Sequence, residues 1–377
     1  MIRVKSGRKQ GYLSTWNKGF QAGNNDGLAK GWNAGYRLGR SQGIFAKIGE
    51  AAFPLFSYKV LYVTAGIGDP YPALDQAIID ALSKVVTGVF SMSPADSVVA
   101  AAELHQPDIV LVLNGVSLSV DRVDELRARG FRTAVWFTDD PYYTEWTVNI
   151  APHYDVVFTL ELNCVPFYQS VGCKQVYYLP FAVSPKLYQP TAVEPAMQTD
   201  ICFIGTAFWN RVRYIDQLTP YLLGKRTFIS GLWWDRLKNY RQLSSYIKLG
   251  EWMPPEETAR YYNGAKMVIN LHRPVVDEMN RIGMPIQASS VNPRTFEING
   301  CATLQLVDAR SEVAQMYEPD KEIVIFHSPE ELRHKLEYYL THEEERREIA
   351  LSGYKRTLQQ HTYVHRLHQM IAILIQN

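Results

Sequence analysis

This 377-residue chain has few cysteines, a net charge close to zero and no long apolar run. Its four cysteines are scattered without a C-x-x-C pair, which argues against a disulfide framework or a zinc site; they are Cys164, Cys173, Cys202 and Cys301. A net charge of +1 gives no electrostatic reason to expect nucleic acid as a partner. No segment reaches the roughly 20 apolar residues of a membrane span, and no signal-peptide-like run follows the first basic residues. We therefore expect a cytoplasmic protein with reduced thiols and no metal site.

Hydrophobic residues, by contrast, are plentiful at 46%, beside 20% charged residues. This balance is ordinary for globular proteins and suffices for two hydrophobic cores. At roughly 100 to 200 residues per domain, the length predicts two domains and a smaller segment.

Residues 7–43 carry an internal repeat, with a glycine at every fourth position except at Thr15. The repeated residues are Gly7, Gly11, Gly19, Gly23, Gly27, Gly31, Gly35, Gly39 and Gly43. Small residues four apart form a stripe along a helix and allow a second helix to approach closely. Because each interior glycine costs a helix about 1 kcal/mol relative to alanine, an isolated helix would be weak. We interpret residues 1–50 as a helical association segment of a homo-oligomer; the alternative is a flexible glycine-rich leader.

From residue 58 onward, short apolar runs alternate with helical stretches, and the pattern starts again after a proline-containing linker. The predicted strands of the first half are Tyr58–Thr64, Asp108–Asn114, Phe131–Thr138, Asp155–Leu160 and Gln175–Leu179. Those of the second half are Asp200–Gly205, Thr227–Gly231, Met267–Leu271, Ala302–Val307 and Glu322–Phe326. Such alternation indicates α/β domains with parallel sheets covered on both faces. We assign the domains to residues 51–185 and 186–360, followed by a terminal segment at 361–377, and we expect residues 342–376 to form one helix.

Candidate ligand-binding residues stand at strand ends of the second half, where open α/β sheets bind ligands. Asn292 can cap a helix whose first turn, with Arg294 and Thr295, suits a diphosphate. Glu297, one turn further on, can accept hydrogen bonds from ribose hydroxyls. A plain surface helix with a solvent-facing arginine is the alternative.

A second group follows the strand Asp200–Gly205. Gly205 and Thr206 permit a phosphate to approach the backbone closely, and Arg211 adds positive charge. Trp252 lies in a predicted turn where it can stack on a base, although core packing suits it equally. His272 ends another strand and is a further candidate, although isolated histidines are more often structural.

The first half offers candidates for the opposite wall of a cleft. Asp139 and Asp140 end the strand Phe131–Thr138, and either carboxylate can serve as a general base. A strand-end turn before Pro141 explains both residues equally well. Gly66 and Gly68 follow the first strand and leave room for substrate beside the backbone.

Several segments resemble the CgeB/YkvP-like family of bacterial glycosyltransferase-related proteins: Trp136–Pro141, Tyr177–Pro190, Asp200–Arg211, Asn292–Cys301 and Glu343–Arg366. The resemblance runs from about residue 58 to the C-terminus. It implies the GT-B fold, in which two Rossmann-like domains face each other across a cleft, here preceded by the glycine-repeat helical segment. It also implies a glycosyltransferase of the hexosyltransferase type that needs neither metal nor cofactor. A nucleotide-sugar, UDP-linked by preference, would bind the C-terminal domain, and an unknown acceptor would face the N-terminal domain.

Within this resemblance, residues 361–377 look like the terminal helix that crosses back to the N-terminal domain. Glu297 looks like the glutamate that holds the donor ribose. Many retaining members carry a second glutamate two helical turns earlier, where this chain has Ser289, and the nearest upstream acid is Glu278. This departure puts a retaining mechanism in doubt. Two alternatives to sugar transfer stay open: a nucleotide-sugar epimerase of the same fold, and a non-catalytic spore or phage assembly protein with a GT-B body.

The glycine repeat generates the first testable prediction. Deleting residues 1–50 should leave the two-domain body folded and lower the particle mass in light scattering, because a helix–helix contact is lost. Replacing Gly27, Gly31 and Gly35 with leucine should do the same by blocking close approach. A deletion variant that keeps the full-length oligomeric state would show that the repeat does not join subunits.

Overall fold

A computed structural model describes residues 5–250, 252–284 and 286–376, which contain two six-stranded parallel sheets. The N-terminal sheet consists of β1 Phe56–Val63, β2 Val86–Met92, β3 Ile109–Leu113, β4 Thr133–Trp136, β5 Val156–Thr159 and β6 Gln175–Tyr178. The C-terminal sheet consists of β7 Thr199–Ile204, β8 Thr227–Gly231, β9 Ile247–Leu249, β10 Ala265–Asn270, β11 Leu304–Asp308 and β12 Val324–Phe326. The strand orders are β2-β1-β3-β4-β5-β6 and β12-β11-β10-β7-β8-β9.

Helices connect these strands and follow the chain in this order: α1 Lys5–Ile48, α2 Tyr71–Leu82, α3 Val98–His105, α4 Val120–Ala128, α5 Thr144–Ile150, α6 Cys164–Ser170, α7 Trp209–Leu222, α8 Tyr240–Leu243, α9 Pro255–Gly264, α10 Arg294–Gly300, α11 Val313–Met316, α12 Pro329–Thr341, α13 Glu343–Gln360 and α14 Tyr363–Gln376. Within the described ranges, no helix is both long enough and apolar enough to cross a membrane. All four cysteines are buried and none forms a disulfide.

Each sheet is buried on both faces, as the near-continuous apolar strands predict. Along β1, Val60 and Tyr62 belong to one hydrophobic cluster, whereas Leu61 and Val63 belong to the cluster on the other face. The expected fold class, two Rossmann-like domains preceded by a helical segment, is confirmed.

Two strands, β2 and β9, were not predicted from the sequence. Both lie at the edge of their sheet, so each is paired on one side only. Edge strands are partly exposed and lack the continuous apolar run of a central strand; β2 contains Gly88, and β9 has only three residues.

Helix α1 is the element that the glycine repeat predicts, and its last turns lie against α13. Arg40 forms an ion pair of 3.2 Å with Glu348, and Ile44 and Ile48 pack on the cluster of Leu351, Tyr354 and Leu358. A Cβ built at Gly27, Gly31, Gly35, Gly39 or Gly43 would have no atom within 4 Å. The described part of the chain therefore packs no other element against these five glycines, and association stays a prediction. Because residues 36–48 contact the body, a truncation that ends before Tyr36 tests association most cleanly.

The chain crosses between the domains twice, and the two crossings are hydrogen-bonded to each other. The amide of Val183 donates to the carbonyl of His361 at 3.0 Å, and the amide of Tyr363 donates to the carbonyl of Val183 at 3.1 Å. The predicted single helix over 342–376 is wrong for this reason, since pairing with Val183 replaces helical hydrogen bonds between α13 and α14. Beyond the crossing, α14 contributes Leu367, Met370 and Ile371 to the core of the N-terminal domain.

Candidate functional site

The carboxyl ends of strands from both sheets border one cavity of about 460 Å³ between the domains. The residues that follow β4 and β5 form one wall, and those that follow β7, β8 and β10 form the other. Parallel sheets bind ligands at this edge because the loops and helix starts that follow the strands converge there.

Two glycines bring the backbones after β7 and β8 together on the C-terminal wall. Gly205 has φ +155° and Gly231 has φ +137°, and a Cβ at Gly231 would lie 2.3 Å from the carbonyl oxygen of Gly205. A Cβ at Gly205 would lie 2.6 Å from Nη1 of Arg294. Side chains larger than hydrogen are therefore excluded at both strand ends, which leaves the Arg294 guanidinium directly over the backbone.

Arginines accumulate here without acidic partners. Arg294 donates to the carbonyl of Ile204 at 3.1 Å, and Arg211, 1% exposed, donates only to the carbonyls of Leu271 and Thr206. Arg273 and Arg310 likewise donate to carbonyl oxygens or to an amide oxygen. Within the described ranges, none of these four arginines forms an ion pair. The carboxyl groups of Glu297 and Asp308 interact with them electrostatically, and four arginines beside two carboxyl groups leave the wall with an excess of positive charge.

The Glu297 carboxyl lies in the same wall and accepts no hydrogen bond from the described residues. Burial raises its pKa to about 7, although the charge of Arg294 favours the ionised form. The hydroxyl of Ser230, a fully buried residue at the end of β8, also lines the cavity without a hydrogen-bond partner there. A hydrogen-bond acceptor, the Glu297 carboxyl, and a hydrogen-bond donor, the Ser230 hydroxyl, thus line the cavity. Neither has a hydrogen-bond partner in the described part of the chain.

Asn292, Thr295 and His272 stabilise this wall through bonds among themselves. Oδ1 of Asn292 accepts the amide of Thr295 at 3.1 Å, and the fully buried Thr295 hydroxyl contacts Asn292 and Asn270. Nδ1 of His272 lies 2.6 Å from the Asp308 carboxylate, and Nε2 accepts the amide of Asn292 at 3.1 Å. Burial lowers the pKa of His272, so the ring is neutral with its proton on Nδ1. The side chains of Thr295 and His272 are thereby engaged within the protein.

The two aspartates after β4 occupy different environments. Asp140 is 2% exposed and accepts the hydroxyls of Thr159 and Tyr168 at 2.7 and 2.8 Å, and burial raises its pKa to about 7. Asp139 is half-buried at the cavity, and its Oδ2 accepts the hydroxyls of Tyr71 and Thr138, each at 2.7 Å. Its Oδ1 accepts no hydrogen bond from the described residues, so Asp139 is the member of the pair that can meet a substrate.

The remaining candidates are divided between the cavity and its surroundings. Thr206 and Trp252 line the cavity, and Trp252 is 41% exposed. Gly66 and Gly68 do not line it: a Cβ at Gly66 would meet Pro94 at 2.3 Å, and Gly68 is exposed, with no atom within 4 Å of a Cβ built there. The opposite wall begins instead at the next residues along the chain, Pro70 and Tyr71.

An interdomain contact that the sequence did not reveal closes one side of the cavity. The Glu161 carboxylate, 2% exposed after β5, accepts the amides of Ser289 and Ser290 at 3.1 Å each. The amide of Glu145 also donates to Arg281, whose own amide donates to Tyr142, at 2.9 and 2.8 Å. The segment between β10 and α10 therefore binds the N-terminal domain through its backbone. Glu161 lies 128 residues from Ser289, so no local pattern could indicate the pair.

Comparison with solved structures agrees with this architecture. Sucrose-phosphate synthase from Thermosynechococcus elongatus superposes with a TM-score of 0.58 at 11% identity, over 84% of this chain and 99% of that one. Anabaena HepE in complex with UDP-glucose gives a TM-score of 0.57 at 10% identity, over 85% and 99% of the two chains. A glycosyltransferase from Rickettsia africae gives 0.57 at 9% identity, over 86% and 99%. The two facing Rossmann-like domains define a protein of the GT-B fold.

Sequence comparison adds information that the fold alone does not give. Residues 211–372 match the family described as glycosyl transferase-like. Over 312 residues the chain is 29% identical to the spore protein CgeB of Bacillus subtilis strain 168, which covers 81% of this chain and 95% of that protein. The resemblance stated from the sequence is confirmed: the chain is similar to a CgeB protein over most of its length, and its C-terminal domain is glycosyl transferase-like.

The partnerless carboxyl of Glu297 makes stability depend on pH. Its pKa is about 7 in the folded chain against an ordinary 4.5, so the folded state holds more protons between these values. The contribution of Glu297 to the free energy of unfolding is therefore present below about pH 4.5 and lost as the pH rises through 7. Glu297→Gln, which cannot ionise, should melt roughly 1–3 °C above the wild type at pH 8 and match it near pH 4.5.

Glu337→Gln, on the exposed face of α12, is the matched control and should follow the wild-type melting curve at every pH. If Glu297→Gln changed the melting temperature equally at all pH values, titration of Glu297 would not be the cause.

Proposed function

We propose that this chain transfers a sugar from a nucleoside-diphosphate sugar, UDP-linked by preference, to an acceptor bound against the N-terminal domain. One observation carries the proposal: an arginine without an acidic partner and a carboxyl without a donor stand on the same wall of the interdomain cavity, at Arg294 and Glu297. A diphosphate complements the first group and ribose hydroxyls complement the second.

In this proposal the diphosphate lies beside Gly205, where the missing side chain leaves the Arg294 guanidinium accessible. Helix α10 has only seven residues, so the positive end of its dipole is a small contribution. The charges of Arg211, Arg273 and Arg294 stabilise the departing diphosphate instead, and they are fixed in place before the donor arrives. Trp252 is proposed to stack on the nucleobase. The Ser230 hydroxyl is proposed to hydrogen-bond a polar group of the nucleotide-sugar.

Asp139 is the proposed base for the acceptor hydroxyl. Hydrogen bonds from Tyr71 and Thr138 fix its Oδ2, which leaves Oδ1 directed away from those partners and able to receive a proton. Asn114 supports the pair, because its side-chain amide donates to Tyr71 at 3.0 Å and to Thr138 at 2.8 Å. A carboxylate held by two hydrogen-bonded neighbours, which Asn114 fixes in turn, keeps its orientation while substrate changes around it.

Donor binding supplies the first test. At pH 8, where Glu297 is ionised, Glu297→Ala should weaken both UDP and uridine by about 1–3 kcal/mol, because the ribose hydroxyls lose a charged acceptor. Arg294→Ala should weaken UDP by a similar amount and leave uridine unchanged, because uridine has no phosphate. Isothermal titration calorimetry measures all four affinities.

Glu337→Ala is the control and should bind both ligands as the wild type does. Equal affinities for all variants would remove this wall from the donor site. No UDP binding by the wild type would favour a non-catalytic assembly protein.

Turnover supplies the second test. Release of UDP from a panel of UDP-sugars should continue in excess EDTA, because fixed arginines take the role that a cation has in metal-dependent enzymes. Asp139→Asn should reduce turnover by roughly 10²–10⁴-fold and leave the UDP affinity within twofold.

Asp121→Asn, in the first turn of α4, is the matched control and should keep full activity. Activity that EDTA abolishes and Mg²⁺ or Mn²⁺ restores would contradict metal independence. Conversion of the UDP-sugar to an epimer, with no acceptor present, would identify an epimerase in place of a transferase.

A further inference from the structure

A second cavity of about 380 Å³ lies at the opposite edge of the C-terminal sheet, where β7, β10 and β11 begin. It is enclosed by the amino-terminal ends of these strands, by α13 and by α1. We call it the basal groove, and its charged lining consists of Arg37, Arg226, Lys266, Glu343, Arg346 and Arg347. The proposed transfer reaction uses none of these residues.

Positive charge exceeds negative charge in the basal groove. Asp200 pairs with both Arg226 and Lys266, at 3.1 and 2.8 Å. Glu343 pairs with both Arg346 and Arg347, at 3.3 and 2.5 Å. Each carboxylate thus forms ion pairs with two cationic side chains.

Arg37 of α1 adds a fifth cation, whose hydrogen bonds go to neutral groups: the Asn263 side chain at 3.2 Å and the carbonyls of Cys301 and Thr191 at 3.1 and 3.2 Å. Among the residues that the structure describes, five cationic side chains therefore accompany two carboxylates in and beside the groove. The excess of three positive charges is held in a concave site in which several of the side chains are largely buried, and such an arrangement favours a multiply charged anion.

A buried hydroxyl of the groove is a second observation, independent of the charges. Thr199, the first residue of β7, is 9% exposed and lines the basal groove, and its Oγ1 has no hydrogen-bond partner in the described part of the chain. Buried hydroxyls are normally paired, because the loss of water without replacement is unfavourable. A phosphate oxygen in the groove would accept this hydroxyl and complement the arginines.

We propose that the basal groove binds a phosphorylated small molecule, with its phosphate group among Arg226, Lys266 and Thr199. The volume of the groove exceeds that of a phosphate alone and is in the range of small-molecule sites. Since Arg37 belongs to α1, the bound anion also strengthens the attachment of the long helix to the donor domain. This inference does not depend on the proposed transfer reaction.

The test uses the full chain carrying Arg294→Ala and no nucleotide, so that phosphate binding in the interdomain cavity is weakened and nothing competes for the basal groove. Pyrophosphate should bind in calorimetry, more weakly as NaCl concentration rises. Thr199→Val should reduce the affinity about tenfold, because one hydrogen bond to a charged oxygen is lost. The substitution removes no internal hydrogen bond, so the fold should be retained, as the melting temperature will show.

Thr227→Val is the matched control. Thr227 begins the neighbouring strand β8, is 7% exposed and also has an unpartnered hydroxyl, but it does not line the groove. The Thr227→Val variant should bind pyrophosphate with the same affinity as the parent chain. Lys266→Met should weaken binding and reduce its salt dependence.

Comparison of orthophosphate with glucose 1-phosphate separates two sources of the same chemistry. Tighter binding of the sugar phosphate supports an organic ligand, and tighter binding of orthophosphate supports a free anion. Absence of pyrophosphate binding at millimolar concentration, or equal affinities for Thr199→Val and Thr227→Val, would overturn the proposal and leave the cations as stabilisers of helix ends.

Discussion

The carboxylate of Glu161 ties the end of β5 to the backbone of the C-terminal domain, and the geometry of the interdomain cavity depends on this contact. Glu161 accepts the amides of Ser289 and Ser290 across the interface and the amide of Asn163 within its own domain. Hydrogen bonds to a charged group contribute about 1.5–3 kcal/mol each, more than neutral ones. Because Ser290 precedes Asn292 by two residues, the same contact fixes the strand-to-helix segment that carries Arg294 and Glu297. The arrangement of the two domains and the geometry of the site therefore depend on the same hydrogen bonds.

The arginines of the C-terminal wall impose a second constraint. Arg211 is almost completely buried; its hydrogen bonds go to carbonyl oxygens, and its guanidinium lies over the rings of Phe203 and Phe208. Burial lowers its pKa, yet an arginine in a protein stays protonated, so the charge must be stabilised by local dipoles. Carbonyls do this less completely than a carboxylate would, and the remaining potential is available to an anion in the cavity. The fold thus accepts a less stable arrangement where the proposed donor diphosphate binds, as is common where polar groups are prepared for a ligand.

The sequence predicted the alternation of strands and helices well, because central strands such as β3 are apolar at every position. It also indicated Gly205, Arg211, Arg294 and Glu297, since each stands in or beside a recognisable strand end or helix start. It did not single out Ser230 or Gly231, although Gly231 ends a predicted strand just as Gly205 does.

Contacts between distant segments set the limit of such prediction. Glu161 meets Ser289 only because the domains face each other. The internal roles of Thr295 and His272 depend on partners that no spacing specifies, Asn270 for Thr295 and Asp308 for His272. The periodicity of apolar residues indicates which side chains are buried. The hydrogen-bond partners of Thr295 and His272 are determined by tertiary packing, which that periodicity does not specify.

The contacts between the domains differ in how easily they can be separated. The crossings at Val183 and Tyr363 are covalent connections that lie side by side, so they persist in any relative position of the domains. The hydrogen bonds that Glu161 accepts can be broken, because water can replace the amides once the domains separate, and the net cost is about 1.5–3 kcal/mol per bond. A ligand that contacts both walls can supply free energy of this size. The contacts predict that a separation of the domains would turn about the crossings and release Ser289 and Ser290 from Glu161. In the observed arrangement, the same contacts hold the wall that carries Arg294 in place.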